Sequence, residues 1–208
     1  SRAPASLEIH KSLLALCRLK RHEGLRLVTT NFDTLFEQAD PALSLGTTVH
    51  SGPIVPIPRN DTAGTWRSVV YLHGRLSSTG ENRDLVLTSA DFGRAYLTDG
   101  WAARFVGRLF SEYSVVFVGY SLNDPVLRYM TDAFASEAAS ARDKGGKPRA
   151  YIFVPASPGG RDKDAWDKRG LHAIFYDPAG GHALLEQTLA AWARAREDWL
   201  SSASATVA

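Results

Sequence analysis

The chain has one cysteine and one methionine among its 208 residues. Because a disulfide needs two cysteines and a cysteine-built zinc site needs several, Cys17 alone excludes both within this chain and fits a reducing compartment. Met130 is the single methionine, so Ser1 is not a natural initiator residue. We therefore expect the chain to be a fragment of something longer.

Long apolar runs and blocks of like charge are also missing. No stretch approaches the ~20 apolar residues that a membrane-spanning helix needs, and residues 1–6 lack the basic and apolar segments of a signal peptide. The 24 basic and 22 acidic residues leave a formal charge of +2, and electrostatic capture of nucleic acid is not indicated. We expect a cytoplasmic protein with no direct nucleic-acid partner and no membrane partner.

Short apolar runs alternate with segments of helical periodicity along the chain. The runs predict strands at 25–30, 68–72, 115–118, 150–154 and 173–176, and helical patterns separate them. Alternation of this kind predicts an α/β fold with a three-layer, mostly parallel, Rossmann-like sheet. The last helix is expected over 181–200, with Leu185, Leu189, Trp192 and Trp199 in one buried stripe.

Polar residues follow the first predicted strand directly, in the sequence LRLVTTNFDTLF at 25–36. When a strand is followed by a polar cluster and then by a helix, the cluster lies at the carboxyl end of the strand. Open parallel sheets bind ligands at that edge. Asn31 and Asp33 are therefore predicted to project into a ligand crevice. The alternative is that Thr30, Asn31 or Asp33 merely caps the helix, because these residue types are preferred there.

Two further strands end in polar residues in the same way. His73 follows the second strand in YLHG, and Gly119 and Ser121 follow the third in VVFVGYS. We expect the three strand ends to line one pocket, because the carboxyl ends of parallel strands meet at one edge of a sheet. The alternative for His73 is a turn histidine whose side chain bonds to the backbone.

The segments TTNFDTLFE, YLHG followed by LVLTSADF, and VVFVGYSLNDPVL together resemble the sirtuin-like family in order and spacing. The resemblance covers residues 25–130 and is to the bacterial branch of NAD-consuming domains found in antiphage defence proteins. It implies an NAD-binding fold in which Asn31 positions the nicotinamide ribose or the attacking water. It further implies that Asp33 holds the nicotinamide carboxamide and that His73 is the general base.

The same resemblance implies a set of dinucleotide contacts, namely Thr30, Asn31, Asp33, Gly119 and Ser121. Cleavage of the nicotinamide–ribose bond passes through an oxocarbenium-like state, as in glycoside hydrolysis. The leaving group departs neutral, so the reaction needs one base and no general acid, and histidine suits that task. We expect hydrolysis of NAD to ADP-ribose and nicotinamide, with NAD as substrate and no metal, by an effector of antiphage defence.

Two departures from the family pattern bear on this expectation. The four zinc-binding cysteines of deacetylating sirtuins are absent, which favours hydrolysis over deacetylation. Residues 1–24 predict one helix and no Gly-Ala-Gly turn, so residues 1–200 are expected to form a single sirtuin-like domain that lacks its first strand, followed by a tail at 201–208. Because such a turn supplies much of dinucleotide affinity, the fragment alone is expected to bind NAD poorly or not at all.

Rival functions remain open at this level. Residues 119–123 resemble a nucleophile elbow with Ser121 as nucleophile and Asp177 and His182 later in the chain, but Asn123 replaces the second glycine of G-x-S-x-G. A non-catalytic NAD or ADP-ribose sensor, or an assembly module, is the stronger rival. Other domains of the full-length protein are expected partners, and a homo-oligomer is left open.

Overall fold

The computed structural model describes residues 6–18, 24–58, 66–76, 84–120, 131, 150–156 and 163–205. The described helices are α1 (Glu8–Cys17), α2 (Leu35–Ala39), α3 (Ser89–Gly93), α4 (Trp101–Glu112), α5 (Lys163–Asp167) and α6 (Ala179–Ala205). The described strands are β1 (Leu27–Thr29), β2 (Val49–Ser51), β3 (Val69–Tyr71), β4 (Val115–Phe117), β5 (Ala150–Pro155) and β6 (His172–Tyr176). A π-helical turn, Arg94–Thr98, continues directly from α3.

The chain divides into two compact units, each with its own parallel sheet. The first unit comprises residues 1–57, 64–102 and 186–208, and the second comprises 58–63 and 103–185. Strand order is β1-β3-β2 in the first sheet and β4-β5-β6 in the second, and every described strand pair is parallel. The predicted α/β class with parallel, Rossmann-like strands is confirmed.

Strand β3 is the centre of the first unit. Val69, Val70 and Tyr71 are each 0% exposed, as expected for a parallel strand covered on both faces. Its flanking core includes Leu14, Leu25, Leu27, Phe36 and Val49. Burial of each such side chain stabilises the fold by about 1.5–3 kcal/mol. This core therefore holds β1 and β3 in place and positions the residues that follow them.

The strand next to β3 on its other side is one that the apolar runs did not predict. The apolar residues Ile54 and Ile57 lie just after it, and both are exposed, Ile54 by 81%. The observed strand is β2, whose Val49 is completely buried and pairs with Val69. Proline at 53 lacks the N–H that a ladder needs, which favours the upstream segment.

Strand β5, rather than β4, is the centre of the second sheet as described. Ile152 and Phe153 of β5 are buried, whereas Val116 in the middle of β4 is 50% exposed. The solidly apolar run at 115–118 predicts a strand covered on both faces, and the exposure of Val116 shows that this prediction is wrong there. The sequence after β4 also predicts a helix over 126–134 that begins at Asn-Asp-Pro, residues 123–125. These residues lie outside the described ranges, with Thr131 as the one exception.

The stripe predicted along the last helix is buried only in its first half. Leu185 and Leu189 are buried, but Trp192 and Trp199 are 44% and 55% exposed. The chain buries the small Ala193 there instead. The helix also runs on to Ala205, past its expected end at residue 200.

Helix α1 packs on the core of the first unit, and its end is tied to α6. Cys17 lies partly buried against that core, and desolvation raises the pKa of its thiol to about 11. The Arg196 guanidinium donates to the Ala15 carbonyl at 3.1 Å and to the Arg18 carbonyl. Carbonyls at a helix C-terminus lack partners within the helix, and Arg196 supplies them.

No helix in the described ranges is both long enough and apolar enough to cross a bilayer.

Candidate functional site at the ends of β1 and β3

Strands β1 and β3 end next to one another. Thr29 pairs with Tyr71 in the parallel register, and the Leu72 N–H donates to the Thr29 carbonyl at 2.8 Å. A further bond joins the segments beyond the strands, from the Leu76 N–H to the Phe32 carbonyl at 2.8 Å. The polar segments that follow the two strands therefore run side by side.

The first of these segments begins at Thr30 and Asn31. The Asn31 N–H donates to the Thr29 hydroxyl at 3.1 Å, which fixes the turn of the chain after β1. The Asn31 side chain is exposed and Thr30 is half-buried. Asn31 thus lies at the surface beside the end of β3.

Asp33 has a structural role of its own. Its Oδ1 accepts a hydrogen bond from the Leu35 N–H at 3.1 Å, just before α2, but the N-cap residue of that helix is Thr34, whose side chain makes no capping bond. The Asp33 charge also acts on His10, whose ring meets Phe36 edge-on at 5.0 Å. Burial lowers the pKa of His10, and the Asp33 carboxylate opposes that shift. A contact of Asp33 with NAD stays a prediction.

His73 is enclosed by aromatic rings. Its side chain is 5% exposed, and its Nε2 lies 2.8 Å from the Tyr96 hydroxyl oxygen. The Phe92 ring meets the imidazole edge-on at 5.2 Å, and Phe92 stacks on Tyr96 at 6.0 Å. The His73 carbonyl accepts from the Val86 N–H at 2.8 Å. The Nε2 partner is thus a tyrosine hydroxyl, where the alternative interpretation expected backbone.

Gly74 has a conformation that the turn after His73 requires. Its φ is +96°, and a Cβ atom there would lie 2.7 Å from the Asp84 carbonyl oxygen. A side chain at this position is therefore excluded both by backbone strain and by the close approach of a neighbouring segment. The His-Gly pair in the sequence thus has a steric reason in addition to any chemical one.

An ion pair ties the segment after β3 to α2. The Arg75 guanidinium donates to both Glu37 carboxylate oxygens, each bond being 2.6 Å long, and the two side chains are 18% and 16% exposed. The hydrogen bond to Glu37 raises the pKa of Arg75. Burial, followed by the charge of Glu37, raises the pKa of the adjacent Tyr71. Sequence reasoning missed this pair, although Glu37 closes the TTNFDTLFE segment.

Breaking this pair should destabilise the first unit. We expect Glu37→Ala to lower the free energy of unfolding by about 1.5–3 kcal/mol, because it leaves a largely buried guanidinium without its acceptor. Urea denaturation measures the change, and a double-mutant cycle with Arg75→Ala isolates the pair. Gln38→Ala, an exposed neighbour on α2, is the matched control. Equal stability of Glu37→Ala and wild type would contradict the expectation.

The predicted residues of the second unit are only partly described. Gly119 is exposed with φ +67°, and Ser121 lies outside the described residues. The other two members of the rival serine-hydrolase triad, Asp177 and His182, form hydrogen bonds with residues close to them in the sequence. Asp177 Oδ1 accepts from the Ala179 N–H at 2.9 Å, and the Nδ1 of His182 lies 2.8 Å from the Tyr176 hydroxyl.

Comparison with known proteins gives two matches. The model of the family described as SIR2-like domain matches residues 25–174. A relative from Sinorhizobium fredii, named "Uncharacterized protein y4cA", is 34% identical over 179 residues. The match covers 80% of this chain and 14% of that protein, so the chain spans a small part of the relative's length.

Proposed function

The chain belongs to the SIR2-like family, whose domains bind NAD and which includes NAD-dependent enzymes, and on that premise we propose that the full-length protein hydrolyses NAD. The bond that breaks joins nicotinamide to ribose, and the products are nicotinamide and ADP-ribose. The observation that supports the proposal best is the pairing of β1 with β3, because it sets the Asn31 segment beside His73.

The residues have distinct roles in the proposed reaction. Water attacks the anomeric carbon as the carbon–nitrogen bond breaks, and nicotinamide leaves as a neutral molecule with the bonding electron pair. His73 accepts the proton that the water loses. Asn31 orients the water or the nicotinamide ribose, and Asp33 holds the carboxamide of nicotinamide.

The surroundings of His73 and Asn31 suit these roles. Rings of Phe92 and Tyr96 enclose an imidazole that is 5% exposed, and exclusion of bulk water strengthens the electrostatic interactions of a site. The exposed Asn31 amide is accessible to a ligand that arrives from solvent. Shelter of the base from bulk water, with an exposed residue on the neighbouring segment, supports the proposal of a hydrolase.

The proposal extends to binding and to biological role. Thr30, Asn31, Asp33, Gly119 and Ser121 are proposed to contact the dinucleotide. The protein is proposed to be a cytoplasmic effector of antiphage defence whose other domains control NAD consumption. The small share of the S. fredii relative that the chain covers is compatible with such a multidomain protein.

A second candidate function is an NAD or ADP-ribose sensor. The observation that favours it is the burial of His73 together with the hydrogen bond between its Nε2 and the Tyr96 hydroxyl, because a base so enclosed has limited access to substrate. A sensor binds the dinucleotide through the same residues and releases no nicotinamide.

Product analysis in ¹⁸O-labelled water separates these functions. We expect the full-length protein to release nicotinamide and ADP-ribose in equal amounts, with one ¹⁸O atom at the anomeric position of ADP-ribose. A cyclic product that carries no ¹⁸O would show that the protein catalyses cyclisation instead of hydrolysis. Tight binding of NAD without nicotinamide would favour the sensor, and labelling of Ser121 by a phosphonate probe would favour the serine hydrolase.

A further inference from the structure

We propose that Glu37 and Arg75 are positioning residues that hold the two strand-end segments of the candidate site in alignment. Glu37 lies on α2, which follows the Asn31 segment, and Arg75 lies two residues after His73. Each member of the pair is therefore anchored to one of the segments that carry the proposed chemistry. The inference rests on the proposed function in one respect, which is that Asn31 and His73 act on the same NAD molecule.

Backbone hydrogen bonds join the two segments at two points. The Leu72 N–H donates to the Thr29 carbonyl, and the Leu76 N–H donates to the Phe32 carbonyl, each at 2.8 Å. The proposed catalytic residues lie between these bonds, one on each segment. Two points fix the separation of the segments but leave rotation about the line between them to other contacts. The side-chain pair adds a third contact, which joins the second segment to α2.

The geometry of the pair fixes an angle as well as a distance. The Arg75 Nε donates to Oε1 of Glu37 and the Arg75 Nη2 donates to Oε2, both at 2.6 Å. The guanidinium is planar, so both bonds form together only when its plane is aligned with the carboxylate. A lysine ammonium is a compact charge without such a fork, and it would hold the distance without the orientation.

The surroundings of the pair strengthen it. Tyr71, the last residue of β3, is completely buried, and burial together with the charge of Glu37 raises the pKa of its hydroxyl. The carboxylate therefore acts on its neighbours in a place where water screens little. The hydrogen bond to Glu37 also raises the pKa of Arg75, so the guanidinium stays charged. A contact of this kind is rigid, which is what alignment of two segments needs.

Alignment of the segments matters because the proposed reaction divides its roles between them. Asn31 is proposed to orient the water or the ribose, and His73 is proposed to accept the proton from water. A displacement of about 1 Å between reacting groups can lower a rate about 10²-fold, even when its cause is far from the chemistry. Neither Glu37 nor Arg75 needs to touch NAD for this effect.

The experiment uses Arg75→Lys and Glu37→Gln, alone and together, in the full-length protein. Arg75→Lys keeps the positive charge but loses the two parallel bonds, and Glu37→Gln keeps the length of the side chain but loses the negative charge. We expect each single variant to lower kcat for nicotinamide release about 10–100-fold, with KM changed less than about 3-fold. Because the two residues form one contact, the double variant should lose about as much kcat as the single variants.

Hydrogen exchange followed by mass spectrometry gives a readout that does not depend on turnover. The Leu76 N–H bonds across the two segments, and we expect it to exchange about 10-fold faster in Arg75→Lys. Peptides that cover β5 should exchange as in the wild type. The matched control is Arg18→Lys, which alters another arginine–carboxylate pair, with Asp40 at 2.5 Å just after α2. It should change neither kcat nor the exchange of Leu76.

Three results would overturn the inference. They are an unchanged kcat in Arg75→Lys, additive losses in the double variant, and faster exchange throughout the chain. Additive losses would show that the two residues act independently, and general exchange would show that the pair only stabilises the fold. If the wild type releases no nicotinamide, the proposed hydrolysis is wrong, and the exchange of Leu76 decides. Faster exchange confined to its segment then supports alignment by the pair, and unchanged exchange overturns it.

Discussion

Replacement of His73 by alanine in the full-length protein should lower the rate of nicotinamide release by about 10²–10⁴-fold, the usual contribution of a general base. The imidazole is the group proposed to accept the proton from water, and alanine offers no substitute. Nicotinamide release at saturating NAD measures the effect directly.

A matched variant separates lost chemistry from lost packing. His73→Ala also empties a buried position between Phe92 and Tyr96, so part of its effect can come from repacking. His73→Gln keeps most of the volume and a polar nitrogen within reach of Tyr96, but its amide is not a base. We expect His73→Gln to lose as much kcat as His73→Ala but to lose less stability. Full turnover by His73→Gln would show that His73 is not the general base.

Asn31→Ala should reduce turnover by about 10²-fold, because a misplaced nucleophile or ribose loses much of the benefit of orientation. The Asn31 side chain is exposed, so the free energy of unfolding should change by less than about 0.5 kcal/mol. Initial rates and urea denaturation of the same preparation test both halves of the prediction.

The backbone of Asn31 makes this a clean experiment. Its hydrogen bond to Thr29 uses the N–H and not the amide side chain, so alanine keeps the turn after β1. Gln38→Ala on α2 is again the exposed control. Normal turnover by Asn31→Ala would show that the segment after β1 shapes the fold and not the reaction.

Sequence patterns predicted the fold class well where burial is continuous. The apolar runs at 150–154 and 173–176 correspond to β5 and β6 within one or two residues, and the SIR2-like family is confirmed over residues 25–174. The patterns were wrong where burial is uneven. Trp192 and Trp199 follow the helical period of Leu185 and Leu189 but are exposed. Periodicity indicates which face of a helix is apolar, but it does not indicate how much of that face other elements cover.

The two strand ends of the candidate site were predictable, and the groups that hold them were not. Asn31 and His73 are in short motifs next to strands that the sequence already indicates. The contacts of His73 with Tyr96 and of Arg75 with Glu37 join residues 23 and 38 positions apart. No periodicity links such pairs, because they arise from tertiary packing, so only the folded chain reveals them.

The lone thiol has a practical consequence for experiments on this protein. Cys17 packs against the core and has its pKa raised to about 11, so almost none of it is thiolate at neutral pH, and thiolate is the reactive form. A cysteine engineered at an exposed position would react with maleimide dyes far faster than Cys17. Fluorophores or spin labels can therefore be attached at one chosen point without first removing the native cysteine.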